Sequence, residues 1–288
     1  MMDVSIIGAG RLGTSLGRAL ARKGYKIRAL SCQSLISARE SQKIIREGKA
    51  LTDNVKAAGE GNLIFLCLPD EKLAKAARKL AHSNISWSKK FVFHSSGLLP
   101  AEILKPLQER GAFTASVHPI QSFSQKSSSP KHFDGIFWGL EGDKKALSLA
   151  RKIVRQLKGH PLPIKAKDKP LYHAACSLAS NFFVVLLDIA SSLLEDIGLK
   201  EEDAERCLLP LLEGTLQNVK KFGRKTSLSG PIVRGDKESV KSHLEALQRF
   251  PLYSQIYMKL AERALQMARR KKLSTQKIKA LRLLLEGK

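Results

Sequence analysis

Short apolar runs alternate with amphipathic patterns along the first half of the chain. The first run, Val4–Ile7, precedes a helical pattern over Arg11–Arg22 in which the leucines share one side. Comparable strand-like runs cover Lys26–Leu30, Leu63–Leu68, Phe91–Phe93, Phe113–Val117, Ile136–Leu140 and Leu162–Ile164. Helical patterns of roughly ten or more residues separate most of them, including Ser37–Glu47, Glu71–Ala81 and Lys144–Leu157. This alternation predicts βαβ units and a doubly wound parallel α/β sheet with helices on both faces.

Strand-like runs stop after about Lys165, and the remaining patterns are helical. They cover Leu171–Ile197, Glu201–Lys221, Lys237–Gln248, Ser254–Arg270 and Ser274–Leu285. An α/β segment followed by an all-α segment predicts two domains, which we place at residues 1–164 and 165–288. Within the first, the polar and Ser-rich stretch Phe123–His132 predicts a loop.

The segment between the first strand and the first helix is Gly8-Ala9-Gly10-Arg11-Leu12-Gly13. In this context Gly8 permits a tight turn, Gly10 lets the backbone approach a pyrophosphate, and Gly13 lets the helix pack against the strand. The start of the helix also offers unpaired N–H groups to an anion. The motif predicts a Rossmann-like dinucleotide-binding domain, and the alternative is a glycine turn without a ligand.

The end of the second strand bears on which dinucleotide binds. An NAD site usually has a carboxylate there for the ribose 2′-hydroxyl, whereas this chain has Ser31-Cys32-Gln33-Ser34. Because no carboxylate would repel a 2′-phosphate, NADP is predicted and NAD stays open. The nearby cations are Arg11, Arg28 and Arg39. The predicted cofactor-binding residues are Gly8, Gly10, Arg11, Leu12, Gly13, Ser31, Cys32, Gln33, Leu68, Pro69 and Ser96.

Polar residues also follow three other predicted strands, at Pro69-Asp70, His94-Ser95-Ser96-Gly97 and His118-Pro119. Ligands of open parallel sheets bind beyond the carboxyl ends of the strands. The sequence therefore makes His94 and His118 candidate substrate-binding residues. Each cluster could instead be a helix cap or a structural turn.

The helical pattern that begins at Leu171 carries a polar stripe on an otherwise apolar helix. The stripe consists of His173, Ser177, Ser180, Asn181, Asp188 and Ser191. Polar residues within Ala174–Leu194 disfavour membrane insertion, so a buried core helix is predicted. Its stripe would face a crevice or a helix–helix interface. Farther along, Arg234 could bind a substrate anion or pair with a carboxylate of the protein, and Asp236 is a predicted helix N-cap.

Together these features resemble a family of two-domain proteins with a Rossmann-like N-terminal domain and an all-α C-terminal domain of uncharacterised function, described as NADP-dependent oxidoreductases. The matching stretches are Gly8–Gly13, Pro69-Asp70, His94–Gly97, Ser116–Pro119, Tyr172–Ala175, Ser180-Asn181 and Leu228–Asp236. The wider group includes pyrroline-carboxylate reductase, ketopantoate reductase, β-hydroxyacid dehydrogenases and prephenate dehydrogenase. The resemblance implies an active site between the domains and a homodimer formed through the helical domain. Ser177 stands where several of those enzymes have a catalytic lysine, and Cys32-Gln33 replaces an arginine common in the family.

The predicted function is NADP-dependent hydride transfer to or from a small carbonyl, hydroxyl or imine substrate. His173 is the predicted general acid or base, because an ordinary histidine titrates at about 6.5. Asn181 would orient or polarise the substrate oxygen, and Ser177 and Arg234 are further candidate substrate-binding residues. The alternatives are a non-catalytic NADP(H) sensor, a nucleic-acid-associated protein that uses the basic tail, and a hydrolase that uses Cys176 beside His173.

The charge and the cysteine content of the chain do not alter the prediction of an NADP-dependent oxidoreductase. Lys and Arg number 50 against 26 Asp and Glu, which gives a net charge of +24. These cations are spread along the chain, and the densest cluster, Arg269–Lys272, has no interleaved aromatic residues, so nucleic-acid binding is not favoured. The 4 cysteines show neither CxxC nor zinc-type spacing, which predicts no structural metal and no disulfide framework. Without a visible signal peptide, a cytoplasmic protein is expected.

Overall fold

A central sheet organises the N-terminal part of the chain in this computed structural model, which describes residues 2–126, 129–268 and 273–286. Its strands are β1 Asp3–Ile7, β2 Lys26–Ser31, β3 Lys49–Leu51, β4 Leu63–Leu66, β5 Phe91–His94, β6 Phe113–Pro119, β7 Phe137–Gly142 and β8 His160–Pro163. Within the described ranges they pair in the order β3-β2-β1-β4-β5-β6-β7-β8. Neighbouring strands are parallel except for β6 and β7. The predicted Rossmann-like sheet is confirmed.

Helices cover both faces of this sheet. They are α1 Arg11–Arg22, α2 Leu35–Ile45, α3 Asn54–Gly59, α4 Asp70–Ala81, α5 Lys105–Glu109 and α6 Lys144–Gln156. The next helix, α7 Lys169–Ala179, follows β8. Alternate residues of a strand point to opposite faces, so Ile6 and Ile7 of β1 pack into different apolar clusters. Phe65 and Leu66 of β4 divide in the same way. Burial on both faces explains why the strands appear in the sequence as nearly continuous apolar runs.

Three short elements and one strand direction of the N-terminal part differ from the sequence-based expectation. The apolar pattern does not reveal β3, α3 and α5, because each is too short to show a period. β7 runs antiparallel to β6, whereas the pattern predicts parallel pairing throughout. Between these two strands the described residues form only a short 3-10 turn at Pro130–Phe133, so the crossover helix that a parallel connection needs is absent there.

The chain divides into two compact units, residues 1–181 and 182–288. The remaining helices are α8 Asn181–Asp196, α9 Glu201–Phe222, α10 Arg224–Ser227, α11 Pro231–Arg234, α12 Lys237–Ala246, α13 Pro251–Ala268 and α14 Thr275–Leu285. The second unit has its own apolar cluster, which includes Ile232, Val240, Ala261, Leu265, Leu281 and Leu285. Asp236 caps α12 by accepting a hydrogen bond from the Ser239 backbone N–H at 3.0 Å, as predicted.

The apolar stretch predicted as one buried helix differs in two respects. It is divided at Ser180, whose φ and ψ of −123° and −69° leave the helical region. The prediction of a buried helix is also wrong for the single chain, because only 6% of the most apolar window is buried. Phe182 to Leu186 are consecutive apolar residues that surround the helix, so one packing face cannot cover them all. Taken together despite this break, Ala166–Asp196 is long and apolar enough, by length and composition, to cross a membrane.

Candidate functional site

The glycine loop joins β1 to α1 at the carboxyl end of the sheet. Gly8 has a φ of +87°, and a Cβ on it would lie 2.5 Å from the Cys67 carbonyl oxygen. A Cβ on Gly13 would lie 2.5 Å from the Gly8 carbonyl oxygen, so the fold itself requires both glycines. A Cβ on Gly10 would meet no atom within 4 Å. At Gly10 the backbone therefore borders open space, as close approach of a pyrophosphate requires.

Side chains fix the loop without blocking the helix that follows it. The Ala9 carbonyl accepts hydrogen bonds from Thr14 Oγ1 at 2.9 Å, Ser41 Oγ at 2.7 Å and Cys32 Sγ at 3.3 Å. No side chain of the described residues caps the N-terminus of α1 at Gly10. The first N–H groups of α1 are thus available to an anion, and the positive end of the helix dipole favours one.

A cavity of about 580 Å³ opens beside the loop, and we term it the glycine-loop cavity. It is lined by the loop, by the segments that follow β2, β3 and β4, and by one face of α4. These residues are Gly8, Gly10, Ser31, Cys32, Gln33, Ser34, Ser37, Thr52, Asn54, Cys67, Leu68, Pro69, Lys72, Lys75, Ala76 and Lys79. Most of the predicted cofactor-binding residues meet here, whereas Arg11, Leu12, Gly13 and Ser96 do not line the cavity.

The positive charge of the glycine-loop cavity comes from α4. Lys72, Lys75 and Lys79 line it, and no described lining residue is acidic. Their spacing of three and four residues is a signal by which the sequence could have identified a basic helix face. None of the three arginines suggested by the sequence lines the cavity, namely Arg11, Arg28 and Arg39.

Two thiols of this unit are unsuited to nucleophilic chemistry. Burial raises the pKa of the Cys67 thiol to about 12. Burial also raises the pKa of Cys176, the thiol considered for a hydrolase. Because the thiolate is the nucleophilic form, the surroundings of Cys176 disfavour the hydrolase interpretation.

A second cavity, of about 220 Å³, adjoins the first at Leu68, which lines both. We term it the histidine pocket. Its lining residues are Leu12, Leu68, Asp70, Ser95, Ser96, Gly97, His118, Pro119, Gln121, Phe123 and His173. The structure thus brings His173 of α7 together with His118 at the end of β6, although the two histidines are 55 positions apart in the sequence.

Gly97 separates the two imidazoles of the histidine pocket. The ring centroids of His118 and His173 lie 6.3 Å apart. A Cβ on Gly97 would lie 2.7 Å from His173 Cδ2 and 2.9 Å from His118 Nε2. A side chain at this position would displace one of the rings, so the glycine keeps both histidines at the pocket.

His118 is held in its neutral form. Its Nδ1 lies 2.6 Å from the Tyr172 hydroxyl. Burial, the charge of Lys169 and the neighbouring His173 lower the pKa of His118 to about 4. At neutral pH this imidazole can therefore take part in hydrogen bonds to a ligand without carrying a positive charge.

His94 is fully buried and lines neither cavity. Its Nδ1 accepts a hydrogen bond from the Ser96 backbone N–H at 3.2 Å, and its Nε2 donates to the Pro100 carbonyl at 3.2 Å. Burial, followed by the charge of Lys169, lowers the pKa of His94 to about 3. Neutral His94 shapes the turn after β5, and its substrate-binding role stays a prediction.

Lys169, the first residue of α7, is a functional candidate that the sequence does not reveal. Its side chain is only 1% exposed. Its Nζ donates to Ser116 Oγ at 2.6 Å and to the Ser96 carbonyl at 3.2 Å. Burial lowers the pKa of Lys169 to about 8, opposed by the carboxylates of Glu141 and Asp70. Nothing local distinguishes this lysine from the other cations of the chain, because its burial depends on strands distant in sequence.

Besides Arg11, Gly13 and His94, three more predicted site residues line neither cavity. Ser177 is half-buried on α7, one turn beyond His173, and Asn181 is exposed at the start of α8. Arg234, in the second unit, lies 3.8 Å from an Asp236 carboxylate oxygen, the internal pairing that the sequence left open. The described residues contain no group of three or more His, Cys, Asp or Glu side chains that could hold a metal ion.

Two family models match the chain. A Rossmann-like domain matches residues 1–119, and a domain of unknown function, DUF2520, matches residues 136–264. No curated protein matches the chain.

Solved structures share the fold over nearly the whole chain. A proposed NADP oxidoreductase of Bacteroides fragilis is 22% identical with a TM-score of 0.77, covering 92% of this chain and 98% of that one. A protein of Thermotoga maritima is 27% identical with a TM-score of 0.72, covering 94% and 100% respectively. A Plasmodium falciparum pyrroline carboxylate reductase with NADP bound is 16% identical with a TM-score of 0.57, covering 93% and 98%.

Proposed function

We propose that this chain, in which a Rossmann-like domain is joined to a DUF2520 domain, is an NADP-dependent oxidoreductase that transfers hydride to or from a small carbonyl, hydroxyl or imine substrate. The observation that carries the proposal is that two cavities share the lining residue Leu68. Open space at Gly10 borders the glycine-loop cavity, and Leu68 lines both that cavity and the histidine pocket. The NADP bound in the Plasmodium falciparum reductase supports a nicotinamide cofactor.

The glycine-loop cavity fits a dinucleotide. Gly10 and the first N–H groups of α1 would hold the pyrophosphate, and the segment Ser31–Ser34 would contact the adenosine ribose. Leu68 and Pro69 would direct the nicotinamide half of the dinucleotide toward the histidine pocket. A bound nicotinamide supplies or accepts the hydride, while the protein orients the substrate and limits the access of water.

Charge supports the choice of NADP over NAD. The lysines of α4 and the hydroxyls of Ser34 and Ser37 surround the cavity beyond β2. Lys126 lies beside Ser37, where its Nζ donates to Ser37 Oγ at 2.6 Å and forms an ion pair with Glu40 Oε2 at 3.1 Å. A 2′-phosphate would gain charge-assisted hydrogen bonds here that a ribose hydroxyl would not.

His173 is the proposed general acid or base. Its ring lines the histidine pocket, where a substrate oxygen or nitrogen beside the nicotinamide must gain or lose a proton. Ser96 lines the same pocket and would contact the nicotinamide side. Asn181, Ser177 and Arg234 remain predictions, because they line neither cavity.

Calorimetric titration with NADPH tests the cofactor site. The wild-type protein should bind NADPH, and Gly10→Val should weaken binding by about 100-fold or more, because the new side chain would fill the space meant for the pyrophosphate. The Tm should change little, since a Cβ at Gly10 meets no protein atom within 4 Å. Gly214→Ala in α9, where a Cβ is equally unobstructed, is the control and should bind normally. Absence of heat with both NADPH and NADH in the wild-type protein would refute the proposal.

A non-catalytic NADP(H) sensor is the second candidate. Ser177 favours it, because several enzymes of the group that the chain resembles have a catalytic lysine at that position. A panel of ketoacids, hydroxyacids and imines, followed by NADPH absorbance, separates the two functions. The oxidoreductase must turn over at least one member, whereas the sensor binds the cofactor and turns over none.

We also propose that a second copy of the chain covers the apolar surface of α8 and α9. Val184 of α8 is 62% exposed and Leu211 of α9 is 67% exposed, and large apolar residues exposed in such numbers usually mark an interface. Light scattering should show a dimer for the wild-type protein and a monomer for Val184→Glu. A monomeric wild-type protein that binds lipid vesicles would contradict the dimer and favour a membrane contact.

A further inference from the structure

We propose that Tyr172 and Lys169 are positioning residues that hold His118 as a neutral imidazole with its Nε2–H directed into the histidine pocket. The inference rests on the proposed function, because it assumes that the substrate binds in that pocket. His118 would then donate a hydrogen bond to the substrate oxygen or nitrogen, and the proton itself would move to or from His173.

The Tyr172 hydroxyl determines which nitrogen of His118 carries the proton. The Gly139 backbone donates to the hydroxyl oxygen, and burial raises the pKa of Tyr172 well above its ordinary value, so the hydroxyl keeps its proton. That proton is donated to His118 Nδ1 at 2.6 Å, because the neighbouring Cys176 thiol is a weak acceptor. A neutral imidazole that accepts at Nδ1 carries its hydrogen on Nε2.

Gly139 is what allows the tyrosine to reach this position. A Cβ on Gly139 would lie 2.6 Å from the Tyr172 hydroxyl and 2.8 Å from Cζ. Gly139 also stands opposite His118 in the antiparallel pairing of β6 and β7. The unusual strand direction of β7 thus places a glycine where the tyrosine must pack.

The Nε2 edge of His118 borders the histidine pocket, which Gly97 and His118 both line. Gly97 leaves space beside this nitrogen, since a Cβ there would lie 2.9 Å from it. Within the described part of the chain, Nε2 of His118 has no hydrogen-bond partner. A donor held at such an edge stabilises negative charge that develops on a substrate atom, and loss of one such donor lowers kcat by about 100-fold or more.

Lys169 acts on His118 through charge and through the strand ends. Its Nζ joins the Ser96 carbonyl after β5 to Ser116 Oγ on β6, two residues before His118. Ser116 Oγ donates in turn to the Ser96 carbonyl at 3.1 Å. The buried ammonium opposes protonation of His118 and keeps the end of β6 in place. The titratable groups around His118 are Lys169, Tyr172, His173 and Cys176 on α7, His94 on β5, Asp70 on α4 and Glu141 on β7.

Nitrogen-15 NMR of the histidine imidazoles tests the inference without a known substrate. The resonances of His118 are assigned with His118→Gln. In the wild-type protein they should show the Nε2–H tautomer and no protonation above about pH 5. Tyr172→Phe, which removes only the hydroxyl, should shift the tautomer toward a mixture and raise the titration midpoint. Lys169→Met should raise the midpoint by about one pH unit.

Tyr25→Phe is the matched control, because the Tyr25 hydroxyl of the same unit bonds to Gln156 instead of a histidine. Tyr25→Phe should leave the tautomer and the titration midpoint of His118 unchanged. An Nδ1–H tautomer of His118 in the wild-type protein would overturn the inference. A Tyr172→Phe spectrum identical to that of the wild-type protein would also overturn it. NADPH titration of the same samples keeps the two proposals separate. Retained binding with the wrong tautomer refutes only the positioning role, whereas the expected tautomer without any binding refutes only the oxidoreductase.

Discussion

The two cavities of the N-terminal unit are built in different ways. The glycine-loop cavity is built beside a local motif, whose loop depends on the absence of side chains at Gly8, Gly10 and Gly13. The histidine pocket depends on side chains that meet from distant positions, since its lining residues His118 and His173 are 55 positions apart. A short motif can therefore specify the loop beside the first cavity, whereas only folding assembles the second. The two should respond differently to substitution.

The largest effect on stability should come from Gly13→Ala. Its Cβ would lie 2.5 Å from the Gly8 carbonyl oxygen and 3.1 Å from Ile6, neither of which can move without disturbing β1. We expect the free energy of unfolding to fall by about 3 kcal/mol, measured by urea denaturation. Gly10→Ala in the same motif should change it by less than about 1 kcal/mol. Equal losses in the two variants would show that the distinction within the loop is wrong.

Removing the three lysines of α4 should weaken the binding of NADPH but leave the binding of NADH nearly unchanged. In the triple variant Lys72→Gln, Lys75→Gln and Lys79→Gln, NADPH affinity should fall by about 100-fold, because charge-assisted bonds to the 2′-phosphate are lost. NADH affinity should change by less than about threefold. Lys144→Gln, Lys152→Gln and Arg155→Gln on α6 remove the same charge at exposed positions and control for net charge. A parallel loss of NADH affinity would contradict a 2′-phosphate site.

Two histidines with lowered pKa values, His118 and His94, should make the protein less stable at acidic pH. The pKa values of His118 and His94 in the folded protein, about 4 and about 3, lie below the ordinary 6.5. The unfolded chain therefore binds more protons as the pH falls below about 6.5, and the free energy of unfolding decreases toward pH 4.

Substitution of one buried histidine tests this dependence. His118→Gln should make the slope shallower by up to about 1.4 kcal/mol per pH unit, measured by urea denaturation across this range. His82→Gln, at the exposed end of α4, is the control. A wild-type slope in His118→Gln would mean that His118 is not held neutral.

The smallest effect should come from Arg28→Gln. Arg28 was a sequence-based candidate for the 2′-phosphate, but it forms an ion pair with Asp3, with Nε and Oδ1 2.8 Å apart. Because it does not line the glycine-loop cavity, NADPH affinity should stay within about twofold of wild type in calorimetry. A large loss of NADPH affinity would indicate that Arg28 contacts the bound cofactor.

Much of the first unit follows from local patterns. α1 spans Arg11–Arg22 as the leucine spacing predicts, because one apolar stripe decides both its period and its packing face. The direction of β7 does not follow, since strand direction depends on what connects two strands and both directions have the same alternation. The exposure of α8 does not follow from the sequence either. Apolar composition predicts that a helix is buried, but it does not identify the surface that buries it.

The candidate site also has features that follow from local sequence and features that depend on the tertiary structure. The sequence by itself determined the glycine loop, because the need for missing side chains within six consecutive positions is a local requirement. It also placed polar residues after the strands, since parallel strands end at one edge of a sheet. Only the tertiary structure decided that Lys169 is buried, that Tyr172 bonds to His118 and that the lysines of α4 face the cavity. These properties are set by neighbours in space, and burial and charge act through distances that no local pattern encodes.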